Sequence, residues 1–93
     1  MIKILYFSGE HCSVCKALKP KLTEAISIKF PTIDIEIIDV NASQEIAAQH
    51  LVFTLPVVLI MVEGKEQYRF ARSFSISDVM DKLERLFTLY ENN

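Results

Sequence analysis

The sequence is poor in the residues that mark unusual proteins. Its 93 residues contain no tryptophan, two glycines, three prolines and two cysteines, and ten basic groups nearly balance twelve acidic ones. So little glycine and proline leaves no low-complexity or fibrous tract. A net charge of -2 provides no basic stripe for a phosphate backbone, so nucleic acid is not an expected partner. The longest apolar run, residues 51–62, is interrupted by Thr54 and Pro56. It falls well short of the roughly 20 residues that cross a bilayer, and no membrane segment is expected. Two cysteines are too few for the disulfide framework of a small secreted domain. The first residues run straight into a strand-like segment and meet charge at Glu10, without the basic start, apolar stretch and small-residue cleavage site of a secretory signal. The expected location is the cytoplasm.

What is present is a chain that is 51% hydrophobic and 10% aromatic, too apolar for disorder and sized for one domain over residues 1–93. The two cysteines, Cys12 and Cys15, lie three residues apart. A bridge between them closes almost no loop and constrains the unfolded chain little, so a chemical purpose is better supported than a structural one.

Hydrophobic periodicity divides the chain into short alternating elements. Residues 2–7 are nearly all apolar and stop at Ser8 and Gly9, as in a strand buried on both faces of a mainly parallel sheet. Over residues 13–30, Val14, Leu18, Leu22, Ala25 and Ile26 recur at helical spacing, and Pro31 ends the helix. Pro20 lies inside that pattern, where it removes an amide and crowds the carbonyl of Lys16; the helix either bends or restarts there. Residues 33–37 alternate isoleucine with acid, which predicts an edge strand with one buried face. Asn41 or Ser43 is placed to cap a short helix reaching about Leu51. Residues 57–62 form an apolar strand that turns at Glu63, Gly64 and Lys65 and returns over 66–71 as a hairpin. A last helix, with Ser77 as its expected cap, carries Val79, Met80, Leu83, Leu86, Phe87 and Tyr90 at helical spacing. The order is βαβαββα, an α/β fold with helices for both faces of a four-stranded mixed sheet. A right-handed crossover sets the first two strands side by side and parallel.

The sequence Cys12-Ser13-Val14-Cys15 falls where the first strand hands over to the first helix. The unpaired amides and positive dipole end of a helix start stabilise a thiolate, which makes Cys12 the expected nucleophile. Cys15, one turn on, is the expected resolving thiol that attacks the mixed disulfide at Cys12. A bare pair at this spacing is also half of a zinc or iron-sulfur site, but tetrahedral zinc needs four ligands and the chain adds only His11 and His50. His50 is expected to face solvent on a different helix. His11, beside Cys12, either favours the thiolate as a cation, with Glu10 opposing it, or is an idle loop residue.

Here the sequence resembles the thioredoxin-like family. The resemblance rests on Cys12-Ser13-Val14-Cys15-Lys16 after a buried strand, on Pro20 five positions beyond the second cysteine, and on Ile38-Asp39-Val40-Asn41 followed by Leu55-Pro56-Val57-Val58. It implies a helix-bending proline at 20, a cis bond at Leu55-Pro56 facing the cysteines, and a redox-active Cys12-Cys15 disulfide with no other cofactor. The family's optional extra strand and helix at the amino terminus have no counterpart, which leaves the acidic second strand at the sheet edge. Several family features are replaced. His11 stands where well-known members have tryptophan, Ser13-Val14 where they have glycine and proline, and Tyr6 where many keep a buried aspartate. The glycine that often follows the last strand is matched with Phe74, and the residues that hold glutathione in glutaredoxins are absent near residues 73–77. Tyr6 is either plain core or a substitute with its own effect.

The resulting expectation is a monomeric thiol-disulfide oxidoreductase acting on protein disulfides through Cys12 and Cys15, with an unidentified electron donor and no metal. Val14, Phe53, Leu55, Pro56 and Phe74 are the expected docking residues around the cysteines, and Glu10, His11 and Lys16 the charged groups that tune them. Two other readings stand beside it: a binding module that keeps the fold with an idle cysteine pair, and a metal or cluster site shared by two chains.

Overall fold

A computed structural model describes residues 1–90 and contains β1 (Ile2–Ser8), α1 (Ser13–Lys29), β2 (Asp34–Asp39), α2 (Gln44–Gln49), β3 (Val57–Val62), β4 (Lys65–Ala71) and α3 (Ile76–Tyr90). The order is the expected βαβαββα. The strands form one sheet in the order β2-β1-β3-β4. β1 runs parallel to β2 and antiparallel to β3, and β4 returns antiparallel beside β3.

The pleat of β1 explains why the sheet is covered twice. Ile2, Ile4 and Tyr6 pack with Leu22 and Ile26 of α1 and Val79, Leu83 and Leu86 of α3. Leu5 and Phe7 point the other way, onto Ala47 of α2 with Leu59 and Met61 of β3. β3, the other interior strand, is buried along its whole length. Each fully buried leucine, isoleucine or valine there contributes about 1.5–3 kcal/mol by leaving water.

The edge position of β2 is as expected, and Lys3 Nζ approaches Glu36 at 2.7 Å on its exposed flank. Its buried alternation is shorter than the sequence predicts: Ile33 is buried, Ile35 is half-buried, and Ile37 is exposed. An edge strand has a neighbour on one side only, and the strand runs on to Asp39, where Ile38 turns to the other face and buries.

α1 stops one residue before its predicted end. Phe30 precedes Pro31 and leaves the helical region, with φ -131 and ψ 68, while its amide still reaches the Ile26 carbonyl. Pro20 lies within a single continuous helix that does not restart. α2 is shorter than expected and ends at Gln49. Ser43 is its cap residue by position, but its hydroxyl makes no capping bond. The preceding turn is held instead by Asp39, whose carboxylate accepts from the Asn41 amide at 2.8 Å and whose carbonyl accepts from the Ser43 amide at 2.9 Å.

Two further expectations are corrected. His50 is half-buried, not solvent-facing, with its ring centroid 5.8 Å from that of Phe7. Its carbonyl and that of Leu51 accept from the Arg69 guanidinium, which also grips Glu66 through Nε and Nη2, so β4 is tied to the end of α2. α3 is capped by Ser75 and not by Ser77. The Ser75 hydroxyl accepts from the Asp78 amide at 3.0 Å, while the Asp78 carboxylate accepts from the Ser75 amide at 2.9 Å. This reciprocal pair holds the Asp78 carboxyl below its ordinary value.

Candidate functional site

The cysteines sit where β1 delivers the chain to α1. Cys12 has extended backbone angles and is the N-cap of the helix, its amide bonded to the Gly9 carbonyl at 3.2 Å. Its sulfur accepts a hydrogen bond from the Cys15 amide at 3.2 Å, taking the place of a serine or aspartate cap oxygen. Cys12 and Cys15 are joined as a disulfide with Cα atoms 5.2 Å apart. The two halves differ in access: Cys12 is half-exposed and Cys15 is completely buried.

Beneath the pair, Tyr6 is 1% exposed and its hydroxyl donates to the Cys15 carbonyl at 2.7 Å. Burial pushes its phenol above its ordinary value of 10.0, so it is neutral through the physiological range. No charged side chain is buried among the described residues.

Leu55-Pro56 is cis. Pro56 is buried, and its carbonyl accepts from the Arg72 amide at 3.1 Å. Leu55 joins Gly9, His11, Cys12, Val40 and Asn41 around a shallow hollow of about 270 Å³ beside the exposed sulfur. Gly9 leaves room for close approach of the neighbouring loops: a Cβ there would lie 2.8 Å from Leu55 Cδ1 and 3.3 Å from Asn41 Oδ1. Asn41 anchors the loop by accepting from the Glu10 amide at 3.1 Å.

Of the expected docking residues, this hollow gathers only Leu55, with Pro56 behind it. Val14 is 60% exposed and Phe53 81% exposed, and neither lines the hollow. Phe74 is half-buried, stacked obliquely on Phe70 and packed against the core, and it borders a different depression with Arg69, Ser73 and Asp78. The backbone that glycine would suit after β4 is at Arg72, with φ +64, two residues before Phe74. Among the tuning groups, His11 Nε2 is 3.4 Å from Glu10 Oε1 with both side chains exposed, and Lys16 is exposed one residue beyond Cys15. His50 belongs to the opposite side of β1, against Phe7. No three metal-ligating side chains come together among the described residues.

Three residues of this region are not among the expected site residues: Gly9 is expected as the end of a strand, Asn41 as a helix cap and part of a family motif, and Arg72 not at all. Gly9 is one of only two glycines and directly follows a buried strand, which is the signal that pointed to it. Arg72 carries no comparable signal, since its conformation comes from the pairing of β4 with the Pro56 loop.

The thioredoxin family profile matches residues 2–85. The chain belongs to the thioredoxin family. It is 36% identical over 87 residues to a thioredoxin-like protein, YdfQ, of Bacillus subtilis, covering 94% of this chain and 77% of that protein. It is 31% identical over 88 residues to a thioredoxin of Chlamydia trachomatis, covering 95% and 81%. Its structure superposes on thioredoxin 1 of Thermosipho africanus with a TM-score of 0.85 and 48% identity, covering 94% of this chain and 96% of that one. Family membership and the bonded cysteine pair together support thiol-disulfide oxidoreductase chemistry in the general sense.

Proposed function

We propose that this thioredoxin-family chain reduces disulfides of protein partners by dithiol exchange, with Cys12 attacking and Cys15 resolving. The observation that supports this most is the asymmetry of the pair. The accessible sulfur is also the one that accepts an amide hydrogen bond at a helix amino terminus, and the buried sulfur follows it by one turn.

In the reduced protein, the Cys12 thiolate attacks one sulfur of the partner's disulfide. A Cys12-partner bond forms, the partner's bond breaks, and its other sulfur leaves as a thiolate that takes a proton from water. Cys15 then loses its proton and attacks Cys12 Sγ, which restores the Cys12-Cys15 disulfide and releases the second partner sulfur. Two electrons have passed to the partner, and a dithiol donor must return them. The Cys15 amide, which donates to Cys12 Sγ, stabilises the attacking thiolate. The hollow at Gly9, Leu55 and Asn41 borders the approach to Cys12. A cytoplasmic setting belongs to the same proposal, supported by a lone cysteine pair arranged for exchange and not for stapling.

Reduction of insulin with dithiothreitol as donor tests the reading. Catalysis above the uncatalysed rate, abolished in Cys12→Ser, is expected, and Cys15→Ser should accumulate a mixed disulfide at Cys12. Absence of turnover with the native pair reduced and folded would favour a binding module with idle cysteines. The reduction potential gives direction: a value near about -270 mV marks a reductase and one near about -120 mV an oxidant.

A further inference from the structure

We propose that Arg72 selects partners that carry an acidic side chain next to the disulfide, so that the site prefers acidic over neutral or basic segments. The proposal rests on the thiol-exchange reading above.

Arg72 closes β4 with φ +64, a conformation that side chains rarely adopt and that glycine would take without cost. Its amide is tied to the Pro56 carbonyl at 3.1 Å, and the preceding residue, Leu55, shares the hollow with Cys12. The backbone that carries this long cationic side chain is thus held, against local preference, at the loop that includes Leu55 and Pro56. Sparsely populated backbone conformations of this kind concentrate at functional sites.

The engagement of nearby charges gives an independent argument. Glu10 faces His11, Asp39 accepts from the Asn41 amide, and Asp78 is occupied by the Ser75 cap. The guanidinium of Arg69, three residues earlier on β4, is committed to Glu66 and to two carbonyls. Arg72 is exposed and has no ion-pair or side-chain hydrogen-bond partner among the described residues, and the same holds for Lys16 beside Cys15. Arg72 and Lys16 are thus two cations that no carboxylate of the described residues engages. A guanidinium also offers paired donors that match a carboxylate, so the group it would recognise is glutamate or aspartate flanking the partner's cysteine.

The test uses the reduced full chain in stoichiometric single turnovers with three disulfide-linked peptide dimers, identical except for glutamate, glutamine or lysine on both sides of the cysteine. At low salt the glutamate peptide should react about three- to fivefold faster than the glutamine peptide, the scale of one exposed ion pair. The advantage should collapse at 1 M salt, where screening acts within about 3 Å. Arg72→Gly, which suits the backbone, should bring the glutamate-to-glutamine ratio close to one, and Arg72→Lys should keep most of it. A thermal midpoint of Arg72→Gly no lower than that of the native chain shows that the ratio reports recognition and not unfolding. A ratio near one in the native chain, or a ratio that survives Arg72→Gly, overturns the role of Arg72. Failure to react with any of the three peptides overturns the thiol-exchange reading itself.

Discussion

The Tyr6 hydroxyl donates a 2.7 Å hydrogen bond to the carbonyl oxygen of Cys15, so the central strand is tied directly to the first turn of the helix that carries the disulfide. The ring is core, packed among residues of β3, α1 and α3, and its polar tip is satisfied without any charge being buried. Where the family pattern places a buried acid, this chain has a neutral donor that fixes backbone and cannot accept a proton from Cys15 while bound in this way.

Tyr6→Phe keeps the ring and removes the tie. It should lower stability by about 1 kcal/mol, the usual net worth of a buried hydrogen bond, read as a shifted denaturant midpoint at unchanged slope. The loss should depend on pH. Burial raises the folded phenol above 10.0, so its contribution is fully present below pH 10.0 and is lost as pH rises through the folded value. Unfolding curves of native and Tyr6→Phe protein should therefore converge above pH 10.0; a constant gap would show that the phenol titrates alike in both states.

Tyr6→Asp should act on kinetics in the opposite sense to its effect on stability. With no acceptor beneath it, Cys15 must lose its proton to water before it attacks the mixed disulfide, so partner release in the native chain should be slow near neutral pH and rise with pH. A carboxylate at this position should quicken that step near neutral pH, while destabilising the fold because it is buried and unpaired. Rapid-quench measurement of mixed-disulfide decay across pH reads this step separately from the first. Fast release independent of pH in the native chain would show that another group already takes the proton.

The cap correction at α3 makes a sharper stability prediction. Ser75→Ala removes an oxygen that accepts from the Asp78 amide and should cost about 1 kcal/mol, whereas Ser77→Ala, an exposed position inside the helix, should stay within about 0.5 kcal/mol. Equal effects in urea unfolding would return the cap to Ser77.

The fold was legible because its signals are periodic. Two apolar strands buried on both faces, one strand alternating isoleucine with acid, two helical repeats and a capped short helix between them account for both the element order and the edge position of β2. What was misplaced turned on single atoms. Ser43, Ser75 and Ser77 all lie close to helix starts, and only backbone geometry decides which hydroxyl meets an amide. The cysteine pair was legible from its spacing at a helix start, and the cis proline through the family resemblance. The hollow beside Cys12 was not, because it is assembled from three separate loops: Gly9 and His11, Val40 and Asn41, and Leu55. Phe74 drew attention as a large aromatic, yet its ring is spent on Phe70 and the core. Arg72 drew no expectation, because nothing in its sequence neighbourhood signals the positive φ it adopts beside Pro56.

The hollow itself can be closed without touching either cysteine. Gly9→Ala places a Cβ 2.8 Å from Leu55 Cδ1 and 3.3 Å from Asn41 Oδ1, while φ at Gly9 is not in the left-handed region, so the backbone accepts alanine and the side chains must yield. Leu55 is a flexible side chain that lines the hollow, so its yielding to the new methyl reshapes the hollow. The variant should therefore fold with a thermal midpoint close to that of the native chain, and reduce insulin with a raised KM. Reaction with a small disulfide such as dithiodipyridine, which needs only the Cys12 sulfur, should be slowed much less. If insulin and the small disulfide are slowed by the same factor, Gly9 acts on Cys12 itself through the bond between the Cys12 amide and the Gly9 carbonyl, and the hollow takes no part in holding the partner.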